Sequence, residues 1–182
     1  MPHTNLLALL IGGDRRSIGN SNRVCALVLA DTKLLAPLVR HMWASDPVVC
    51  MRAADALEKI SVQRAPLLQR FIPELLGLAG ETLQPEVRWH LALMLPRLQL
   101  NRRQRLRVFA RLHEYLGDRS SIVKTTALQG LLTLAGEDRV LVPEAEGYLE
   151  HALRAGTPAM KARARKLLSA RRVRFVCDSG VT

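Results

Sequence analysis

The residues best equipped for catalysis are few and scattered. The five histidines, His3, His41, His90, His113 and His151, show no H-E-x-x-H spacing, and no serine sits in G-x-S-x-G. His113 and Glu114 are adjacent, so on a helix they point in different directions. No pair of carboxylates has a spacing suited to an acid/base couple. Cys25, Cys50 and Cys177 are odd in number and far apart, with neither CxxC nor Cys/His metal spacing. Cys25 and Cys50 lie in apolar helical segments and read as small buried thiols, which suits a reducing compartment. We therefore expect no enzyme activity, no metal and no cofactor.

Anion chemistry has one candidate loop. Residues 12–22, GGDRRSIGNSN, are glycine-rich and lead Arg15, Arg16 and Ser17 into a helix start, where unpaired amides attract anions. The stretch lacks the G-x-x-x-x-G-K-[ST] spacing and follows no strand, so it reads as an inter-helix loop.

Binding chemistry is better represented. The stretch QPEVRWHLALMLPRL (84–98) sets Trp89 and His90 among the residues of an apolar stripe. Basic residues cluster at Arg97, Arg102, Arg103, Arg105, Arg107 and Arg111, and again at Lys161, Arg163, Arg165, Lys166, Arg171, Arg172 and Arg174. With 27 Lys+Arg against 16 Asp+Glu the net charge is +11. Such a charge attracts nucleic acid, anionic membrane or an acidic protein. It equally describes a solvated basic surface, because long basic chains normally coat helices.

The elements that position these groups repeat. Segments starting at Asp46, Gln84, Ser120 and Thr157 are spaced by 38, 36 and 37 residues. Three carry Pro second, where a helix tolerates it, and Asp46, Ser120 and Thr157 can cap the first turn. Gln84 is a poorer cap. Counting from the second residue, offsets 2, 6, 9, 10 and 13 are mostly apolar: Val49, Ala53, Ala56, Leu57 and Ile60 in one segment. Val87, Leu91, Met94, Leu95 and Leu98 match them in the next, and Val123, Ala127, Gly130, Leu131 and Leu134 in the third. These offsets fall in an arc of about 100°, the width of a core-facing stripe. A second helix lies between, aligned at Leu35, Phe71, Phe109 and Ala145, with Gly80, Gly117 and Gly156 as stops. Low aromatic content, 4%, also favours helices packed through aliphatics over sheets. The expectation is an all-α chain of antiparallel helix pairs, stacked as a right-handed α-solenoid. The repeat domain spans 1–171, and 172–182 reads as a C-terminal tail. Pro96 should shorten or kink the helix that contains it.

The run D-P-x-V, then A-x-x-A-L-x-x-L/I, resembles the second helix of HEAT and HEAT-like repeats over about 140 residues. The family's basic position holds Arg88, Lys124 and Lys161 here, but Cys50 in the first clear repeat. Its acidic position holds Asp46, then Gln84, Ser120 and Thr157, so a polar ladder between repeats is incomplete. The resemblance implies four to five helix pairs and a scaffold that binds macromolecules on a concave face lined by the second helices.

On that face Met51, Trp89 and Leu93 would give an apolar centre, unless Trp89 packs sideways on the neighbouring repeats. Arg52, Arg88, Lys124 and Lys161 would add charge, with His90 and Arg163 on the flank between helices. The expected function is a non-catalytic scaffold for a partner protein or acidic segment. The alternative is nucleic-acid binding by the basic stripe and the basic C-terminal helix. LLALLI (6–11) is too short for a membrane span and lacks a signal-peptide pattern, so we expect a cytoplasmic protein with no membrane contact.

Overall fold

The structure is a computed structural model that describes residues 5–178 except 13, 15, 16 and 137, with side chains described to Arg171. Helix takes up 82% of the chain and no described residue lies in a strand, so the fold is all-α. The α-helices are α1 (Leu6–Leu10), α2 (Ser21–Ala30), α3 (Leu35–Arg40), α4 (Pro47–Arg64), α5 (Ile72–Glu81) and α6 (Pro85–Met94). They continue as α7 (Arg102–Tyr115), α8 (Ser121–Ala135), α9 (Leu141–Ala155) and α10 (Pro158–Asp178).

The helix starts follow local chemistry. Asp46 accepts the Val48 amide at 2.8 Å, Ser120 the Val123 amide at 3.5 Å and Thr157 the Met160 amide at 3.3 Å. Gln84 makes no side-chain cap; its amide instead donates to Pro47 O at 2.8 Å and ties the start of α6 to that of α4. Asn101 and Gln104 close a reciprocal capping box at α7. Pro96 ends α6 in a 3-10 turn, Leu95–Arg97. The helix expected over 67–79 is split: Ala65–Phe71 is a 3-10 turn and α5 begins only at Ile72, beside Pro73. Gly80 lies inside α5 rather than closing it, while Gly156 caps α9 as expected. The helix expected to end near 171 runs on to Asp178, because the intervening residues include neither Gly nor Pro.

Helices α2, α4, α6, α8 and α10 pack side by side in chain order, with α3, α5, α7 and α9 against them. Every core-stripe position named above is buried. One apolar cluster runs from Leu6 to Ala145, and a second joins Leu128, Leu149, Ala152, Met160 and Ala164. Each fully buried Leu or Val stabilises this stack by roughly 1.5–3 kcal/mol.

Candidate functional site

The side-by-side row leaves a cavity of about 490 Å³ between α4, α6 and the α1–α2 connection. Its size suits a drug-sized ligand or one to two side chains. Helical spacing makes it. Met51, Arg52 and Asp55 leave one side of α4, and Glu86, Trp89 and His90 leave the matching side of α6. Asp14 and Ile18 close the third wall.

Trp89 resolves the opening choice in both directions. It is half-buried, packs against the main apolar cluster, and also lines the cavity. Met51 is half-buried beside it. Leu93 is half-buried one turn on and is not part of the cavity wall.

Arg52 corrects an expectation. Its side chain is not offered to a partner: the residue is 2% exposed. The guanidinium donates to Leu10 O at 2.9 Å, Gly12 O at 2.5 Å, Asp14 O at 3.1 Å and Ser17 O at 3.1 Å. A planar five-donor fork gathers the α1–α2 connection around itself. Gly19 at φ +53 passes so close that a Cβ would stand 2.7 Å from Arg52 Nε. The glycine-rich stretch therefore serves as the wrapping for a buried cation. Arg15 and Arg16 lie outside the described residues.

His90 is likewise interior, 1% exposed, at the inner wall of the cavity. Its ring lies 3.4 Å from the Trp89 ring, centroid to centroid, at 32°. Nε2 is 3.9 Å from Asp55 Oδ1, and Nδ1 is buried with no hydrogen-bond partner. Burial pushes the His90 pKa down to about 4, against the pull of Asp55 and with the help of Lys59. The imidazole is neutral at pH 7.

Asp55 is the centre of this network. Ser21 Oγ donates to its Oδ2, and Lys59 Nζ reaches the same oxygen at 2.5 Å. Lys59 also donates to Asn22 Oδ1 at 2.5 Å. Both hydrogen bonds fall on Oδ2, and Oδ1 lies 3.9 Å from His90 Nε2. Asp55, Glu86, Asp14 and Ile18 were absent from the candidate residues. The signal for Asp55 was present as Asp-x-x-x-Lys inside an otherwise apolar helix, an i,i+4 pair.

The proposed basic stripe is not a row of unpaired cations. Arg52 is buried, and Arg88 is paired: Nη1 is 2.6 Å from Asp118 Oδ2 and Nε is 2.8 Å from Thr82 O. The Arg88 guanidinium also lies 5.3 Å over the Tyr115 ring. Arg163 donates to Gln129 Oε1 at 2.9 Å, across the α8–α10 contact. Lys124 and Lys161 are half-buried and make no ion pair among the described residues. The unpaired cations gather elsewhere. Arg102, Arg103 and Arg107 surround Leu106 and Ala110 on the open face of α7. None of these three has an ion pair among the described residues. Arg172 and Arg174 lie outside the described side chains.

Cys25 and Cys50 are buried free thiols whose pKa values burial raises, and the Cys177 side chain lies outside the described residues. No group of His, Cys, Asp and Glu among the described residues is arranged to hold a metal ion. No helix there is long and apolar enough to cross a membrane. No protein-family model, curated protein or solved structure matches this chain. The class that the fold and site define is an all-α protein with a half-open, tryptophan-walled cavity.

Proposed function

We propose that the chain is a non-catalytic HEAT-like scaffold, four to five helix pairs wound as a right-handed α-solenoid. It binds a segment of a partner protein at the α4–α6 cavity. The recurring register of the second helices and their side-by-side order support the architecture. The observation that carries the function is the cavity itself, where Ile18, Met51 and Trp89 meet a few convergent polar groups. A tryptophan at the centre of such a surface is the residue type most enriched among binding hot spots. The test is selection of peptides from a randomised decapeptide library on the immobilised full chain. Recurrent sequences should emerge, and Trp89→Ala should lower their retention by at least about tenfold. Enrichment indifferent to Trp89 would sink the reading.

A second reading, nucleic-acid binding, is favoured by the unpaired Arg102, Arg103 and Arg107 on one face of α7. It requires affinity for duplex DNA or RNA that falls steeply with salt and weakens when these arginines become Ala.

A further inference from the structure

We infer that the outward face of α7 docks an acidic amphipathic helix carried on a partner polypeptide. The inference is independent of the α4–α6 cavity and assigns a second surface. Three observations converge on it.

The first is the use made of each arginine in α7. Arg105 donates to Leu134 O at 2.9 Å, Arg111 pairs with Glu114, and Arg102 lies within electrostatic range of the Asp138 carboxylate. Arg103 and Arg107 differ. Both are exposed, and neither has a hydrogen bond, ion pair or ring contact among the described residues. They stand on one side of the helix, about 6 Å apart along its axis.

The second is what these cations border. Leu106 is 47% exposed, and Ala110, one turn on, is exposed as well. Helical spacing sets the two in an apolar strip, with Arg103 and Arg107 along one side and Arg102 on the other. The five residues line a shallow depression of about 560 Å³. Val108, Phe109, Leu112 and Tyr115 already fill the buried face of α7, so Leu106 serves no core contact there. An apolar strip edged by unpaired guanidinium groups complements an apolar stripe edged by carboxylates.

The third is extent. The cationic face is short and ends in carboxylates. Glu114, held by Arg111, closes it at the C-terminal end of α7. At the α7–α9 contact Glu144 accepts the Tyr148 hydroxyl at 2.7 Å, while the Tyr148 ring stacks on His113 at 4.7 Å. A nucleic-acid backbone carries charge continuously, and its binding typically draws on roughly six to ten phosphate contacts. On this face it would run from three arginines onto carboxylates. A helical segment sets Glu or Asp against Arg103 and Arg107 alone, at i and i+4, and lays an apolar residue on Leu106. The acidic helix and the nucleic acid compete for one surface, and the short cationic stretch with its exposed leucine favours the helix.

The experiment passes two helical peptide libraries over the immobilised full chain at near-physiological salt. Both carry a fixed apolar stripe and are otherwise randomised, except that glutamate flanks the stripe in one and glutamine in the other. A mixed-sequence DNA duplex is run in parallel. Retention is expected to be at least about tenfold higher for the glutamate library than for the glutamine library. Changing Arg103→Ala together with Arg107→Ala should cut that retention several-fold. Leu106→Ser, which leaves every charge in place, should also cut it several-fold. These three side chains are exposed, so helical signal and unfolding midpoint should hold in both variants. Trp89→Ala should leave retention unchanged. Equal retention of the two libraries, no retention, or retention indifferent to the arginine pair or to Leu106→Ser overturns the inference. So does retention lost in Trp89→Ala, which would seat the peptides in the α4–α6 cavity. Duplex retention that needs the arginine pair but not Leu106, with no preference for the glutamate library, overturns it and gives the face to nucleic acid.

Discussion

Two seams in the helix row share one register and differ in chemistry. Counted as above, Asp55 is at offset 8 of α4 and His90 at offset 5 of α6, 3.9 Å apart. The equivalent positions of α6 and α8 hold Leu93 and Thr126. The first seam is polar. It holds the Asp55–Lys59–Ser21 cluster, and further along Arg97 bonds Glu58 at 2.5 Å and Ser61 at 2.8 Å. The second seam is dry in the sense that no ion pair joins α6 to α8 among the described residues. Thr126 turns its hydroxyl back to Ile122 O and Val123 O of its own helix, at 2.9 and 3.0 Å. Gly130 there lies so near Ala92 that a Cβ would fall 2.5 Å from the Ala92 carbonyl oxygen. The α4–α6 cavity lies at the polar seam. A backbone register held by the core stripe thus leaves the pair positions to specialise, and the seam that keeps charged partners is the one that keeps space between helices.

The largest expected effect tests the dry side. Leu131 is 1% exposed, and Leu131→Ala should lose roughly 2–5 kcal/mol, read from urea unfolding midpoints. A neutral result would place α8 in another register and end the comparison. Next comes Gly130→Ala. In an open helix this change gains up to about 1 kcal/mol. Here the new methyl meets a backbone oxygen that cannot swing aside, so a loss of roughly 2–3 kcal/mol is expected. The contrast is Gly147 in α9, whose added Cβ would meet nothing within 4 Å. Gly147→Ala should leave stability unchanged or raise it. If both changes behave alike, the close approach of α6 and α8 is not a constraint.

The core and helix starts were legible because they depend on near neighbours in sequence. Val49, Ala53, Leu57 and Ile60 share one face by periodicity alone, and Asp46 caps the residues that follow it. The site was only half legible. Met51 and Trp89 follow from the same periodicity, carried one step round the helix. Arg52 did not, because its partners are the carbonyls of residues 10, 12, 14 and 17, which a loop brings back from some 40 positions away. Position 5 reads as a flank, and only the loop's path decides whether a flank is water or interior. His90 was misplaced for the same reason: burial of a flank depends on how closely the preceding helix approaches. The pairing of the cations was hidden too. Net charge is a property of the whole surface, and Arg88, Arg97 and Arg111 are consumed in pairs that composition does not reveal.

The smallest expected effect separates the seams by acidity. His90 in the folded chain has its pKa lowered from 6.5 to about 4, chiefly by burial. Asp55 opposes that shift, Lys59 adds to it, and Arg52 and Glu86 line the same cavity. In the unfolded chain His90 titrates near its ordinary value. Between these two values the unfolded state binds a proton that the folded state excludes, so stability falls as pH falls through this window. Above about pH 6.5 both states hold the neutral ring, and this group adds no pH dependence. At pH 4.5 the loss relative to pH 7 is on the order of 2 kcal/mol, beyond the background from other groups. That background is measured in His90→Asn, which should show a flatter profile over the same range. Thr126, the equivalent residue at the dry seam, does not titrate, so Thr126→Ser should leave the profile parallel to that of the parent chain. A parent profile no steeper than that of His90→Asn would mean that the folded state accepts the proton against Asp55. The imidazole would then be half of a charged pair with Asp55.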